Sequence, residues 1–212
     1  MIKVLFQGDS ITDAGRNREK PEDLGSGYAK FVAGTLDYER PGKYEFINRG
    51  KSGNRIVDVY ARIKQDIINL RPDVMSLLVG VNDVWHEFVR QNGVEAEKYE
   101  KFYEMLIEEI REVLPDIKII IMGSYIENGT AIIDREIDYT LFRSEVEERA
   151  AIAKRIAEKY GFPFVDLQAK FDEAVAKGPM ECVTKDGVHP RAGGAELIKR
   201  GWLEAFDKLG LE

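Results

Sequence analysis

Apolar residues along this chain fall into two arrangements, short continuous runs and longer stretches in which they recur every third or fourth position. The runs at 3–6, 44–47, 74–79, 117–121 and 162–165 are rich in β-branched and aromatic residues, so each predicts a buried strand. Between them, Ile56, Val59, Tyr60, Ile63, Ile67 and Leu70 share one helical face, as do Tyr99, Phe102, Tyr103, Leu106, Ile110 and Val113. Charged segments at 134–160 and 192–209 predict two more helices, with Gly161 and Gly210 standing where each would end. Within the first of these, Glu145, Glu147, Glu148 and Arg149 read as a solvated helix face.

Strands that alternate with helices imply a parallel sheet covered on both faces. Right-handed crossovers then leave few topologies, and the expected fold is a three-layer α/β/α sandwich with five parallel strands in the flavodoxin-like order. A chain of 212 residues suits one domain over 1–212, since no linker, repeat or low-complexity tract divides it. The net charge of -7 is spread over interspersed acids and bases, which argues against nucleic acid as a partner. No apolar stretch approaches the roughly 20 residues of a membrane span, and no charged leader precedes Ile2, so a soluble, cytoplasmic protein is expected. Cys182 is the only cysteine; it can form no internal disulfide or thiolate metal cluster, and a buried, inert thiol is expected. No metal or other cofactor is called for.

Open parallel sheets bind ligands beyond the carboxyl ends of their strands. Ser10 follows the first predicted strand, Gly53 the second, Asn82 the third and Tyr125 the fourth, while Asp186 and His189 follow the fifth after a short helix. Singly, Ser10 could be a helix cap, Asn82 a turn residue and Asp186 a cap for the last helix. Together at one edge they offer the parts of an acyl-transfer site. Of the two histidines, His86 falls just beyond Asn82-Asp83 and beside Trp85, where it reads as a surface or pocket-wall residue, whereas Asp186 stands three residues before His189 and can hold its Nδ1. Pro190 keeps His189 out of the α region and suits the first position of the following helix.

For the nucleophile, Ser10 sits where a strand ends and a helix can begin, with its N–H available to a developing oxyanion. Gly53 can bring a second backbone N–H close, and the Asn82 amide a third. Two competing motifs fail. Gly50-Lys51-Ser52 resembles a P-loop tail, but Glu45 replaces its first glycine; Gly25-Ser26-Gly27 is an incomplete dinucleotide fingerprint, read as a flexible loop. No serine occupies a G-x-S-x-G elbow. Asp9 and Asp83 read as turn-builders that bind nearby backbone N–H groups.

Gly8-Asp9-Ser10-Ile11-Thr12, Gly53, Gly80-Val81-Asn82-Asp83 and Asp186-Gly187-Val188-His189-Pro190 resemble the four sequence blocks of the SGNH, or GDSL, hydrolases. The resemblance implies an SGNH hydrolase fold, Ser10 as nucleophile, Ser10, Gly53 and Asn82 as oxyanion donors, and Asp186 with His189 completing the triad. Extended stretches around Ser10 and Asn82, with Tyr125-Ile126-Glu127, are similar to bacterial acetylxylan and carbohydrate acetyl esterases. That likeness implies an acetylated sugar or oligosaccharide as substrate. Asp13, Arg16 and Glu127 would then bind sugar hydroxyls, and Trp85 and Tyr125 would pack on a sugar face, each having an alternative as a loop ion pair or half-buried aromatic. Gly123-Ser124 replaces an expected proline, and the segment from Asn128 to Ile137 has no counterpart in the pattern. A lysophospholipase, an acyl-thioesterase and a binding module without catalysis are the alternatives, and assembly into a homo-oligomer is compatible with the resemblance.

Overall fold

A computed structural model describes residues 1–211. Five strands, β1 (Ile2–Gly8), β2 (Tyr44–Asn48), β3 (Val74–Leu78), β4 (Lys118–Met122) and β5 (Phe164–Val165), form one sheet in the order β2-β1-β3-β4-β5. Every pairing is parallel. The flavodoxin-like order expected from the alternation is the one observed. β5 is shorter than its apolar run because Pro163 has no N–H to give the ladder; its carbonyl still accepts from Ile121 at 3.0 Å.

Ten α-helices lie among the described residues. They are α1 (Ser10–Asp13), α2 (Tyr28–Glu39), α3 (Ile56–Tyr60), α4 (Ile63–Asp66), α5 (Val81–Arg90), α6 (Ala96–Val113), α7 (Thr130–Ile133), α8 (Tyr139–Tyr160), α9 (Leu167–Lys177) and α10 (Ala192–Asp207). Alternate side chains of each central strand enter opposite cores. Val4, Phe6, Val74, Leu78, Ile120 and Met122 pack beneath α2 and α10, where Tyr28, Val32, Trp202 and Phe206 are buried. Leu5, Met75, Leu77, Ile119 and Ile121 face the other way, toward Ile56 of α3, Tyr103 and Leu106 of α6 and Ile152 of α8. Burial on both faces explains why the strands read as continuous apolar runs.

Several local expectations need correction. The 56–70 face is divided among α3, α4 and a 3-10 turn at Ile68–Leu70, with Arg71 left-handed at its end. Helix α8 starts at Tyr139 rather than 134, because Asp138 caps it through a bond from Leu141 N–H. Gly27 stands at the N-cap of α2, so the glycine-rich 25–27 segment is a helix entrance. Arg149 is not on a solvated face: it is buried, bonded to Glu145 and Glu148 and to the Val94 carbonyl. Cys182 is exposed on a 3-10 turn at Met180–Cys182, so the expected buried thiol is not found.

Candidate active site

At the end of β1 the chain turns directly into α1, and Asp9 supplies the cap: its Oδ1 accepts from Ile11 N–H at 2.9 Å. Ser10 thereby becomes the first helical residue, with Oγ 3.0 Å from His189 Nε2. His189 comes from the far end of the chain. The loop before α10 doubles back through a Thr184–Pro190 bridge, a bond from Lys185 N–H to the His189 carbonyl (2.7 Å) and one from Gly187 N–H to Thr184 Oγ1 (3.0 Å). Pro190 belongs to this bridge and precedes α10 by two residues, so it is not the helix's first residue as expected.

Inside that loop Asp186 binds His189 twice. Oδ2 meets Nδ1 at 2.8 Å, and Oδ1 accepts from the His189 backbone N–H at 2.8 Å and from Val188 N–H at 3.0 Å. Burial alone would raise the Asp186 carboxyl, but these bonds to His189 prevail and hold it at about 2. An ionised carboxylate can only accept, so Nδ1 carries the imidazole proton and Nε2 turns its lone pair toward Ser10. The bond to Asp186 raises the His189 pKa above 6.5, against burial, and the charge of Asp9 adds to the rise. Complete burial pushes Asp9 itself up to about 7, and its Oδ2 has no bonding partner.

Asn82 enters from the first turn of α5, and its Nδ2 donates to the Asn54 carbonyl at 3.2 Å. This bond joins the loop after β3 to the loop that carries Gly53. A Cβ on Gly53 would meet only His86 Nε2, at 3.9 Å, so space does not require glycine there; the left-handed φ of +83° does. His86 therefore faces Gly53, half-buried, with its pKa lowered by burial and by Arg55 and Arg90. Asp83 is fully buried and binds the N–H of Ile56, on a distant helix rather than in its own turn, while burial raises its pKa.

Ser10, Asn82, Trp85, Asp186 and His189 line one pocket of about 230 Å³. The other four expected substrate contacts do not. Asp13 is buried, its carboxylate taken by Ser52 N–H at 3.0 Å and by Arg18, which hold its pKa down against burial. Arg16 points away and donates to the Gly50 carbonyl at 3.2 and 3.3 Å. Tyr125 is wholly buried, stacked on Phe171 at 3.8 Å, and its hydroxyl donates to the Val188 carbonyl at 2.7 Å. Glu127 is also buried, raised to about 7 by burial and by Asp172, and bonded to Gln168.

The rest of the pocket lining includes Thr130 and Ala131 of α7, with Asp134 and Arg135 just beyond its end. The Arg135 guanidinium lies 5.0 Å from the centre of the Trp85 ring. These residues belong to the stretch that matched no familiar pattern. Its place after a strand, at the ligand-binding edge, is the signal that would have found it. The same stretch is laced to the histidine loop: Glu127 N–H donates to Gly187 (2.9 Å) and Ala131 N–H to Asp186 (3.0 Å). Gly129 passes so close to the Asp186 carbonyl that a Cβ would collide with it.

Comparison with known proteins bears on this geometry. Residues 6–197 match the GDSL-like lipase/acylhydrolase family. An acetylxylan esterase of Geobacillus stearothermophilus is 33% identical over 219 residues, spanning 99% of this chain and 94% of that protein. The crystal structure of that organism's acetylxylan esterase superposes with a TM-score of 0.83 at 33% identity, covering 96% of this chain and 93% of the other. An α/β hydrolase from the metagenome of Lake Arreo, Spain, superposes with a TM-score of 0.85 at 29% identity, covering 97% and 95%.

Proposed function

The chain belongs to the GDSL-like lipase/acylhydrolase family and is an esterase, and from that premise we propose that it removes acetyl groups from carbohydrate esters through Ser10, His189 and Asp186. The observation that carries the proposal is the relay from Ser10 Oγ through both ring nitrogens of His189 to Asp186, opening on one pocket. In the first step, His189 Nε2 takes the Ser10 proton as Oγ attacks the acetyl carbonyl carbon. Ser10 N–H, Gly53 N–H and the Asn82 amide hold the negative oxygen of the tetrahedral intermediate. His189 then protonates the departing sugar oxygen. A water molecule, deprotonated in turn by His189, attacks the acetyl-serine and releases acetate.

The pocket of about 230 Å³ lies below the range of roughly 300–1,000 Å³ that holds drug-sized ligands, which favours a short acyl group over a fatty chain. At its mouth, Thr130, Asp134 and Arg135 offer donors and acceptors for sugar hydroxyls beside the apolar Trp85. The acetylxylan esterase among the relatives supports the same class of substrate.

Release of acetate from acetylated oligosaccharides, with p-nitrophenyl acetate and octanoate in parallel, tests the proposal. Turnover of acetate esters should exceed that of octanoate and should fall by at least about 10³-fold in Ser10→Ala. Rising activity with chain length would point to a lysophospholipase or thioesterase, and undiminished turnover by the variant would remove Ser10 from the mechanism.

A further inference from the structure

A second depression, of about 330 Å³, shares no residue with the esterase pocket and is bordered by Arg16, Arg18, Arg49, Lys51, Arg62 and Asp66. Five cations thus converge on a chain whose net charge is -7. The carboxylates bonded to them are Asp66, on Arg62 at 2.9 Å, and the buried Asp13, on Arg18. Arg16, Arg49 and Lys51 keep no ion-pair partner among the described residues. Arg16 is held in place by the Gly50 carbonyl and is half-buried; burial lowers its pKa against the charge of Asp13, and the charges of Arg49 and Arg18 lower it further against that of Asp66. Arg62 is fixed as well, its Nη2 donating to Asn54 Oδ1 at 2.8 Å. Positioned, partly desolvated guanidinium groups of like charge repel one another, and an anion among them reverses the sign of that interaction.

We propose that this depression is a binding site for a small oxyanion, a phosphate or a carboxylate. Lys51 stands two residues before Gly53, and its backbone N–H is tied to the Gly8 carbonyl at 3.0 Å, so the anion would sit behind the loop that carries Gly53.

Calorimetric titration of the whole chain with inorganic phosphate at low ionic strength tests the site. Binding should saturate at one phosphate per chain, and Arg49→Ser with Lys51→Ser should weaken it by about tenfold or more. A control pair on distant exposed helix positions, Lys98→Ser with Lys177→Ser, removes the same charge and should change it less than about twofold. Failure of the wild type to saturate, or equal weakening by both pairs, would overturn the proposal. Should the first pair lose its cooperative unfolding transition, Lys51→Glu, at an exposed position, repeats the comparison.

A second arm separates the two sources of the anion and rests on the esterase proposal, which the phosphate titration does not need. Acetate release from an acetylated glucuronate is compared with that from the neutral acetylated glucose. A preference for the acidic sugar that vanishes in Arg49→Ser with Lys51→Ser places the anion on the substrate. Phosphate binding without such a preference makes it a free ion.

Discussion

At the scale of single residues, the pH dependence of the site follows from His189. As the proposed base it must be neutral, and the bond to Asp186 holds its proton more firmly than water does, so the acid limb of kcat/KM should have its midpoint above 6.5. Asp9 sharpens the test because its charge contributes to that rise and its own carboxyl titrates at about 7. Asp9→Asn should move the limb to lower pH; a limb that stays in place would deny Asp9 this influence. The same pair acts on folding with opposite edges. The raised His189 adds stability that is full below pH 6.5 and fades as pH rises through its folded value, while the lowered Asp186 adds stability lost as pH falls from 3.8 toward about 2. Residue chemistry made the grouping of Ser10, Asp186 and His189 legible in the sequence, since few side chains can hand a hydroxyl proton to an imidazole that a carboxylate orients. Tyr125 was misread for the opposite reason. Its role depends on Phe171 and Val188, 46 and 63 residues away, and no local pattern announces a stack or a hydroxyl bond across that distance.

Among the elements, the strands were the most legible, because a sheet buried on both faces demands uninterrupted apolar runs. Helix α2 was missed: its buried face is built partly of alanines, Ala29 and Ala33 beside Tyr28, Val32 and Leu36, and small residues leave a faint periodic signal. Helix α7 has only four residues, too few for any period, yet it forms a wall of the pocket. Its attachment to the histidine loop yields a prediction. Gly129 has an extended backbone that any residue can adopt, so Gly129→Ala should act only through the collision with the Asp186 carbonyl. Displacing that loop should lower kcat on an acetate ester by about 10²-fold while costing about 1–3 kcal/mol of stability. A kcat within twofold of the wild type would show that the lacing does not set the position of His189.

For the whole molecule, the sheet and its two cores determine whether the five loops meet at all. Ile120, fully buried in the middle of β4, should lose about 2–5 kcal/mol on truncation in Ile120→Ala, lowering Tm by roughly 5–15 °C in a chain of this size. Leu141, 51% exposed on α8, should tolerate alanine within about 0.5 kcal/mol. Thermal unfolding of both variants checks the contrast, and similar losses would mean that burial does not rank these positions. Well below its new Tm, Ile120→Ala should retain esterase activity, because its side chain is buried in the core and does not line the pocket.

The stretch from Glu127 to Arg135 stands in two places at once: it is bonded to the imidazole's loop, and it lines the pocket beside that loop. On the proposed mechanism, selectivity and turnover are therefore inherited together. A graft that exchanges Thr130, Asp134 and Arg135 for those of another hydrolase can retune the substrate range only if it leaves the Glu127–Gly187 and Ala131–Asp186 links in register.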